Sequence, residues 1–453
     1  MTLAIAALAG FLLLQVAIGV WVSRRIATED DYLVGGRKFG YTLATFSIFA
    51  TWFGAESVIG SAGQVFTNGV SIETAEPYGY GLCLILMGAL LAKPLWDRGL
   101  TTLADLYRQR FGTGVERLAA IILIPTSVLW AAAQVRAFGS VIALVGDINL
   151  SLGLGIAALF TITYTTFGGL LADAVTDVLQ GAVLSVGLIA TLVLVVQHVG
   201  GLGDAMAIIR ASDAINFAPS AAGAWYETLE AWAIPVCGSL VATEIIGRVI
   251  AARSGTVAQR SSIAAGVLYL TIGSIPVVIA LLARSFLGEL GDAEQVLPTV
   301  ASTVLPPLAF ALFTGGLVSA ILSTVDSTLL VASGLLSHNI LIPLTGVTDD
   351  RRKVLLARGG VIGFGVLAYV LAANADGVLA LVEQASAFGS AGILVTTLFA
   401  LFTNLGSPRT AAATLIVALA VYLGATALDT PVPFLASLGA ALLTWTIGCV
   451  RDA

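Results

Sequence analysis

The sequence predicts an all-α polytopic membrane protein, and three observations carry that prediction. Of 453 residues, 58% are hydrophobic and only 11% charged, against about 25% charged in an ordinary soluble domain. The apolar residues come in blocks of about 20, the length a helix needs to cross a bilayer. The gaps between blocks are short and hold most of the Lys and Arg.

On the length criterion about thirteen spans follow in order: 2–22, 39–67, 74–96, 115–146, 151–170, 174–198, 223–250, 259–283, 304–335, 353–373, 377–403, 409–427 and 431–450. The first has no basic stretch ahead of it and no clean cleavage site behind it, so it reads as a retained helix and not a signal peptide. Basic residues accumulate in cytoplasmic loops. With the N-terminus outside and the C-terminus inside, 18 of the 21 Lys and Arg fall in inward loops, Arg25 and Arg248 among them; Arg136, Arg210 and Arg284 are the exceptions. The net charge of −6 offers no basic stripe for nucleic acid. Cys83, Cys237 and Cys449 are odd in number and scattered, which implies free thiols. His198 and His338 stand far apart with no nucleophile or metal motif beside them, so nothing points to an enzyme.

Two spans depart from a plain apolar pattern. The second is interrupted by Ala50-Thr-Trp-Phe-Gly-Ala-Glu-Ser57, and the seventh by Ala233-Ile-Pro-Val-Cys-Gly-Ser-Leu240 followed by Glu244. Each opens a block of five spans, 39–198 and 223–403, and an odd number of crossings gives the two blocks opposite orientation. That leaves 1–22 as an extra leading helix and 409–450 as two accessory helices. Inverted repeats whose broken helices meet at mid-membrane are a transport architecture, with freed helix ends available to an ion and a solute.

Acidic residues at membrane depth cost roughly 2.5–3.5 kcal/mol each on insertion scales, so each needs a partner or a purpose. Glu56, Asp177, Glu244 and Asp326 lie there, and among the basic residues only Arg136 is expected deep enough to meet them. Protons, a bound cation or a cationic solute are the remaining partners. The ninth span carries Ser319-Ala-Ile-Leu-Ser-Thr-Val-Asp-Ser-Thr328, in which Ser323, Asp326 and Ser327 share one helix face. Hydroxyls and a carboxylate are hard oxygen ligands, suited to an alkali cation.

The stretches Tyr32-Leu-Val-Gly-Gly-Arg37, Ala50 to Ser57, Tyr164-Thr-Thr-Phe-Gly-Gly169, Thr176-Asp-Val-Leu-Gln180 and Ser319 to Ser327 resemble the sodium:solute symporter family, in the right order and over nearly the whole chain. Ala92-Lys-Pro94, Leu129-Trp-Ala-Ala-Ala133 and Gly247-Arg-Val249 are similar to its high-affinity choline transporter branch. The resemblance implies a leucine-transporter type five-plus-five inverted repeat and Na+ as the coupling ion. It implies a principal sodium site of the Ala50, Phe53 and Ala320 carbonyls with the Ser323 and Thr324 hydroxyls. A second sodium or proton site would use Asp177, Ser323, Asp326 and Ser327, although many relatives have a neutral residue at the place of Asp326. Solute would meet Trp52, Glu56, Ser57, Tyr80, Trp130 and Glu244. Ala242 stands where the choline branch has a tryptophan, so the aromatic box is incomplete. For Trp52 and Trp130, packing or lipid-facing roles stay open.

The expected function is therefore sodium-coupled import of a small organic solute, such as an amine, an amino acid or another polar nutrient, by a multi-pass protein of the plasma membrane. A monomer suffices for this. Proton coupling on the same fold and a transporter-like sensor are the alternatives, the latter disfavoured because no signalling domain follows before Ala453. Glu73, Glu76, Glu227 and Glu230 fall near outer span ends, where solvation is the expectation.

Overall fold

The computed structural model describes residues 2–24, 27–217, 225–288, 290–375 and 377–452. Arg25 and the first two positions of the expected span 223–250 lie outside them. Among the described residues eight helices are long and apolar enough to cross a membrane, and three bent pairs bring the figure to eleven. The expected leading span is the helix Thr2–Ser23. The expected pair 151–170 and 174–198 is one helical run, Leu150–His198, broken at Gly169. At that residue φ is 62° and ψ 174°, a conformation essentially confined to glycine. The Tyr164 hydroxyl lies 3.1 Å from that of Thr176, twelve residues on. A straight helix would separate those positions by about 18 Å, so the run folds back on itself there.

The helix Pro307–Leu336 is the axis of the bundle. From Phe313 to Leu330 every side chain is buried, and a helix apolar all round belongs in the middle of a membrane protein. Its hydroxyls bond back to preceding carbonyls or across to neighbours, as a medium without water requires. The outer helices show the reverse pattern: Leu159, Val186 and Leu443 are each about two-thirds exposed, the signature of a surface that faces lipid.

The bends fall where the helical hydrogen-bond ladder is interrupted. Tyr41–Trp52 and Glu56–Asn68 meet at 57°, and Trp225–Val241 and Thr243–Ala251 at 42°. The second break sits at Ala242, a little beyond the expected Ala233–Leu240, because the chain stays coiled through Pro235 and Gly238 and becomes extended only at Ala242 (φ −61°, ψ 126°). A third bend of 40°, between Val378–Ala387 and Ser390–Phe402, has no counterpart in the sequence reading. Gly389 makes it, with φ of 67°.

One end of the bundle is basic. There Arg37 donates to the Gly99 and Leu100 carbonyls, and Arg98 and Arg110 to those of Ala400 and Leu405. At the opposite end a two-residue parallel pairing of Val70–Ser71 with Ile215–Asn216 ties two connections together.

Candidate functional site

The site grows out of the first break. In an unbroken helix the N–H groups of Gly54 and Ala55 would donate to the carbonyls of Ala50 and Thr51. Instead Gly54 N donates to Glu56 Oε1 at 3.2 Å and Ala55 N to Gln134 Oε1 at 2.9 Å, so both carbonyls lose their helical partners. Thr324 Oγ1, from the central helix, reaches across to the Thr51 carbonyl at 2.8 Å and to its own Ala320 carbonyl at 3.2 Å. Gln134 Nε2 closes the arrangement by donating to Glu56 Oε2 at 2.9 Å. A side chain at Gly54 would displace the polar groups around it: a Cβ there would lie 2.7 Å from Glu56 Oε2, 2.8 Å from Thr324 Oγ1 and 3.0 Å from Gln134 Nε2. After the break the chain widens into an i→i+5 turn, with Ser61 N donating to the Glu56 carbonyl, a distortion that recurs at functional sites.

Beside this junction three rings meet. Trp52 and Trp130 centroids are 4.8 Å apart, Trp52 and Tyr80 5.9 Å, and Tyr80 and Trp130 6.2 Å. All three are buried, which excludes lipid-facing roles for both tryptophans. Trp52 Nε1 has no hydrogen-bond partner among the described residues. Tyr80 Oη lies 3.0 Å from Ser386 Oγ, which in turn lies 3.2 Å from Ser239 Oγ near the second break. Ser57 Oγ bonds Tyr269 Oη, and that hydroxyl donates to Glu76 Oε1 at 2.7 Å.

The second break contributes Glu244, in the first turn of Thr243–Ala251. Its carboxylate accepts from Ser127 Oγ at 2.5 Å and from Thr243 Oγ1 at 3.4 Å, and negative charge is favourable at a helix N-terminus. Between Glu244, Trp130, Ala242, Ser239 and Ser386 lies a cavity of about 20 Å³, room for roughly one water molecule.

Beyond the break the central helix meets the hinged run. Ser323 Oγ donates to Asp177 Oδ1, whose Oδ2 accepts from Ser47 at 2.6 Å. Ser327 Oγ lies 2.9 Å from Asp173 Oδ2. Asp326 turns to another neighbour, with Oδ1 accepting from Thr165 at 2.5 Å and Oδ2 without a partner among the described residues. The fold thus sets Thr324 and the Ala320 carbonyl against the Thr51 carbonyl at the first break, with Ala50 one residue before and Phe53 two residues after it along the chain, while Ser323 turns to Asp177. It gathers Trp52, Tyr80 and Trp130 beside them, and it seats Glu56 and Glu244 on the two breaks.

Two expectations are corrected. Sequence position puts Arg248 in an inward loop, but it is completely buried on Thr243–Ala251 and donates to Asp173 Oδ2 at 2.5 Å. Arg136 is therefore not the only basic residue at depth; among its bonds is one to the Ala372 carbonyl. Glu76 and Glu230 are largely buried and do not stand free at the surface, and they line a cavity shared with Glu73 and Glu227. Glu230 accepts from the N–H groups of Phe434 and Leu435 at 2.6 and 2.8 Å and so caps the last helix. Asp173, Gln134, Ser127 and Ser386 are the site residues that sequence reasoning missed. The first three carry a signal: Asp173 stands four residues before Asp177, Gln134 four after Trp130, and Ser127 three before it, each on the same helix face.

A model of the sodium:solute symporter family matches residues 32–417. The chain belongs to the sodium:solute symporter family. It is 27% identical to the human high affinity choline transporter 1 over 387 residues, 80% of this chain and 66% of that protein, so it spans just under two thirds of that relative's length. It is 25% identical to the high-affinity proline transporter PutP of Bacillus subtilis over 404 residues, 85% of this chain and 84% of that one. Among solved structures, a Na+-coupled sialic acid symporter in its substrate-bound outward-open state superposes with a TM-score of 0.86 at 18% identity, over 99% of this chain and 97% of the other. Mhp1, a nucleobase-cation-symport-1 family transporter, gives 0.64 at 18% identity, over 94% and 95%. At such identities the likeness is one of fold, and it makes this symporter-family member a multi-pass membrane protein of the leucine-transporter type.

Proposed function

We propose that this protein is a sodium-coupled importer of a small polar organic solute in the plasma membrane. The observation that carries the reading is the junction where the first broken helix leaves the Ala50 and Thr51 carbonyls without helical donors, the second of them directly opposite Thr324. Sodium is the cargo that fits such oxygens. It would be held by the carbonyls of Ala50, Phe53 and Ala320 and the hydroxyls of Ser323 and Thr324, replacing its water shell with fixed dipoles. In doing so it joins the first broken helix to the central one and fixes Trp52, the last helical residue before the break, in place for solute.

The solute then sits among Trp52, Tyr80 and Trp130, with Glu56, Ser57 and Glu244 as its polar contacts. Aromatic faces attract a cationic head by about 0.5–2 kcal/mol each, so an amine or an amino acid suits the pocket. Solute binding closes the outer side, and loss of sodium to the cytoplasm releases both. Alternating access comes from rocking the elements that carry the two breaks against the rest of the repeats, 39–198 and 223–403. In this reading the membrane is crossed thirteen times: the eleven spans above, the helix Thr2–Ser23, and the hinged run counted as two. The basic end faces the cytoplasm.

Uptake into proteoliposomes under an inward sodium gradient tests the proposal. Accumulation that is unchanged when potassium replaces sodium on both sides would overturn it. Proton coupling is the second reading, and one observation favours it: Asp326 Oδ2 is buried without a partner among the described residues, as a carboxyl that carries a proton in part of a cycle would be. Uptake in sodium-free medium accompanied by internal acidification would select that reading.

A further inference from the structure

The position expected to hold a second cation already contains a positive charge. The side chains implied for it include Asp177 and Ser327. Arg248 Nη2 donates to Ser327 Oγ, bonds Asp173 Oδ2 at 2.5 Å and lies 3.8 Å from Asp177 Oδ2, while Nη1 reaches the Glu244 carbonyl at 3.4 Å. The arginine is wholly buried, and so are Asp173, Asp177 and Ser327 to within 3% exposure, so water does not screen the charge. Both oxygens of Asp177 are taken by Ser323 and Ser47, and the Ser327 oxygen faces the guanidinium and Asp173. A sodium ion placed there would have to displace a guanidinium that holds its charge permanently and binds through a planar fork. It would also stand within a few ångströms of a like charge in a low-dielectric interior.

We infer that Arg248 is a tethered cation that fills the second ion position, and that the protein therefore couples transport to one sodium ion. The inference rests on the sodium reading given above and adds the stoichiometry to it. Arg248 is a positioning residue here, since it touches neither the principal ion nor the solute. Its helix is the half of the second broken element that follows the break. The fixed charge therefore travels with that half, and it pairs with Asp173 and stands 3.8 Å from Asp177, offsetting one of their two negative charges without an ion from solution.

The test is direct counting of 22Na+ bound to the purified protein in detergent, with no transport required. The expected result is one ion per wild-type chain with a Hill coefficient near 1, one ion in Arg248→Lys, and two ions with a coefficient above 1 in Arg248→Ala. Two ions in the wild-type chain would overturn the inference while leaving sodium coupling intact, and so would a single ion in folded Arg248→Ala. No sodium bound to folded wild-type protein would instead remove the sodium reading, and the inference with it. Loss of a partner for a buried acid is strongly destabilising. If Arg248→Ala does not fold, the wild-type and Arg248→Lys counts decide alone.

Discussion

Replacing Gly54 by alanine puts one methyl group into the junction on which the proposed ion site depends. Its position is known from the backbone: 2.7 Å from Glu56 Oε2, 2.8 Å from Thr324 Oγ1 and 3.0 Å from Gln134 Nε2. Carbon does not approach oxygen or nitrogen that closely, so three polar groups must give by several tenths of an ångström together. Overpacking of this kind costs typically 1–3 kcal/mol. In the proposed site the cost falls on the ion-bound state, because Thr324 Oγ1 would be a ligand and lies in the direction the methyl blocks. A penalty confined to one state converts into a weakening of sodium affinity by about 5- to 150-fold. The assay is the half-saturating sodium concentration for quenching of Trp52 and Trp130 fluorescence, or for uptake once a solute is in hand. Gly60→Ala is the control, since its added Cβ meets only Leu379 at 3.6 Å, an ordinary contact. A Gly54→Ala protein that folds and responds to sodium within twofold of the parent would refute the placement of the ion at this junction.

Further outcomes follow from other parts of the molecule. Trp52→Leu removes the ring that stands within 6 Å of both Tyr80 and Trp130, and should weaken a cationic solute by about 2- to 30-fold for a loss of 0.5–2 kcal/mol while leaving sodium binding in place; equilibrium binding of each separates the two. Glu230→Ala removes the acceptor for two N–H groups at the start of the last helix, so the melting temperature should fall by an amount that reflects about 0.5–2 kcal/mol, with uptake per folded molecule unchanged. Asp31 lies outside the spans, where burial alone would raise its pKa, but hydrogen bonds from the Thr28 side chain and the Ala27 and Thr28 backbone, with the charge of Lys38, hold it below 3.8. A depressed carboxylate stabilises the fold at pH above the unfolded value and loses that contribution as pH falls through the folded one. Asp31→Asn should therefore melt lower than the parent at pH 7, and the gap should close as the pH is taken below about 4; a gap independent of pH would sink this account.

How far the molecule is legible in its sequence depends on whether a residue's role is set by its own neighbours along the chain. The two breaks can be read because glycine, proline and acids, which singly could serve a kink or close helix packing, recur at matched places at the head of the two blocks, and the first is placed at the right residues. The second is placed several residues early, since Pro235 and Gly238 signal a break whereas the extended residue is Ala242, which signals nothing. Hydroxyls at Ser323 and Thr324 are visible as a dense cluster on one span. Arg248 is not visible, because its distance from the end of an apolar block is that of a loop residue. Only the packing of its helix against Asp173 and Ser327, far away in sequence, turns it inward. Glu76 and Glu230 mislead for the same reason: both sit at span ends, and their burial is decided by Tyr269 and by the start of the last helix. Tertiary partners, not composition, settle such residues.

Ser386 links three of the elements that pack around the second break. Its hydroxyl meets Tyr80 on one side and Ser239 on the other, and its carbonyl lies where any side chain at Gly238 would have to go. One small rotor is thus geared to a ring of the aromatic trio, to the approach to the second break and to the third bend at once. A tilt of the Tyr80 ring would therefore strain its bond to the same hydroxyl that accepts from Ser239 near the second break.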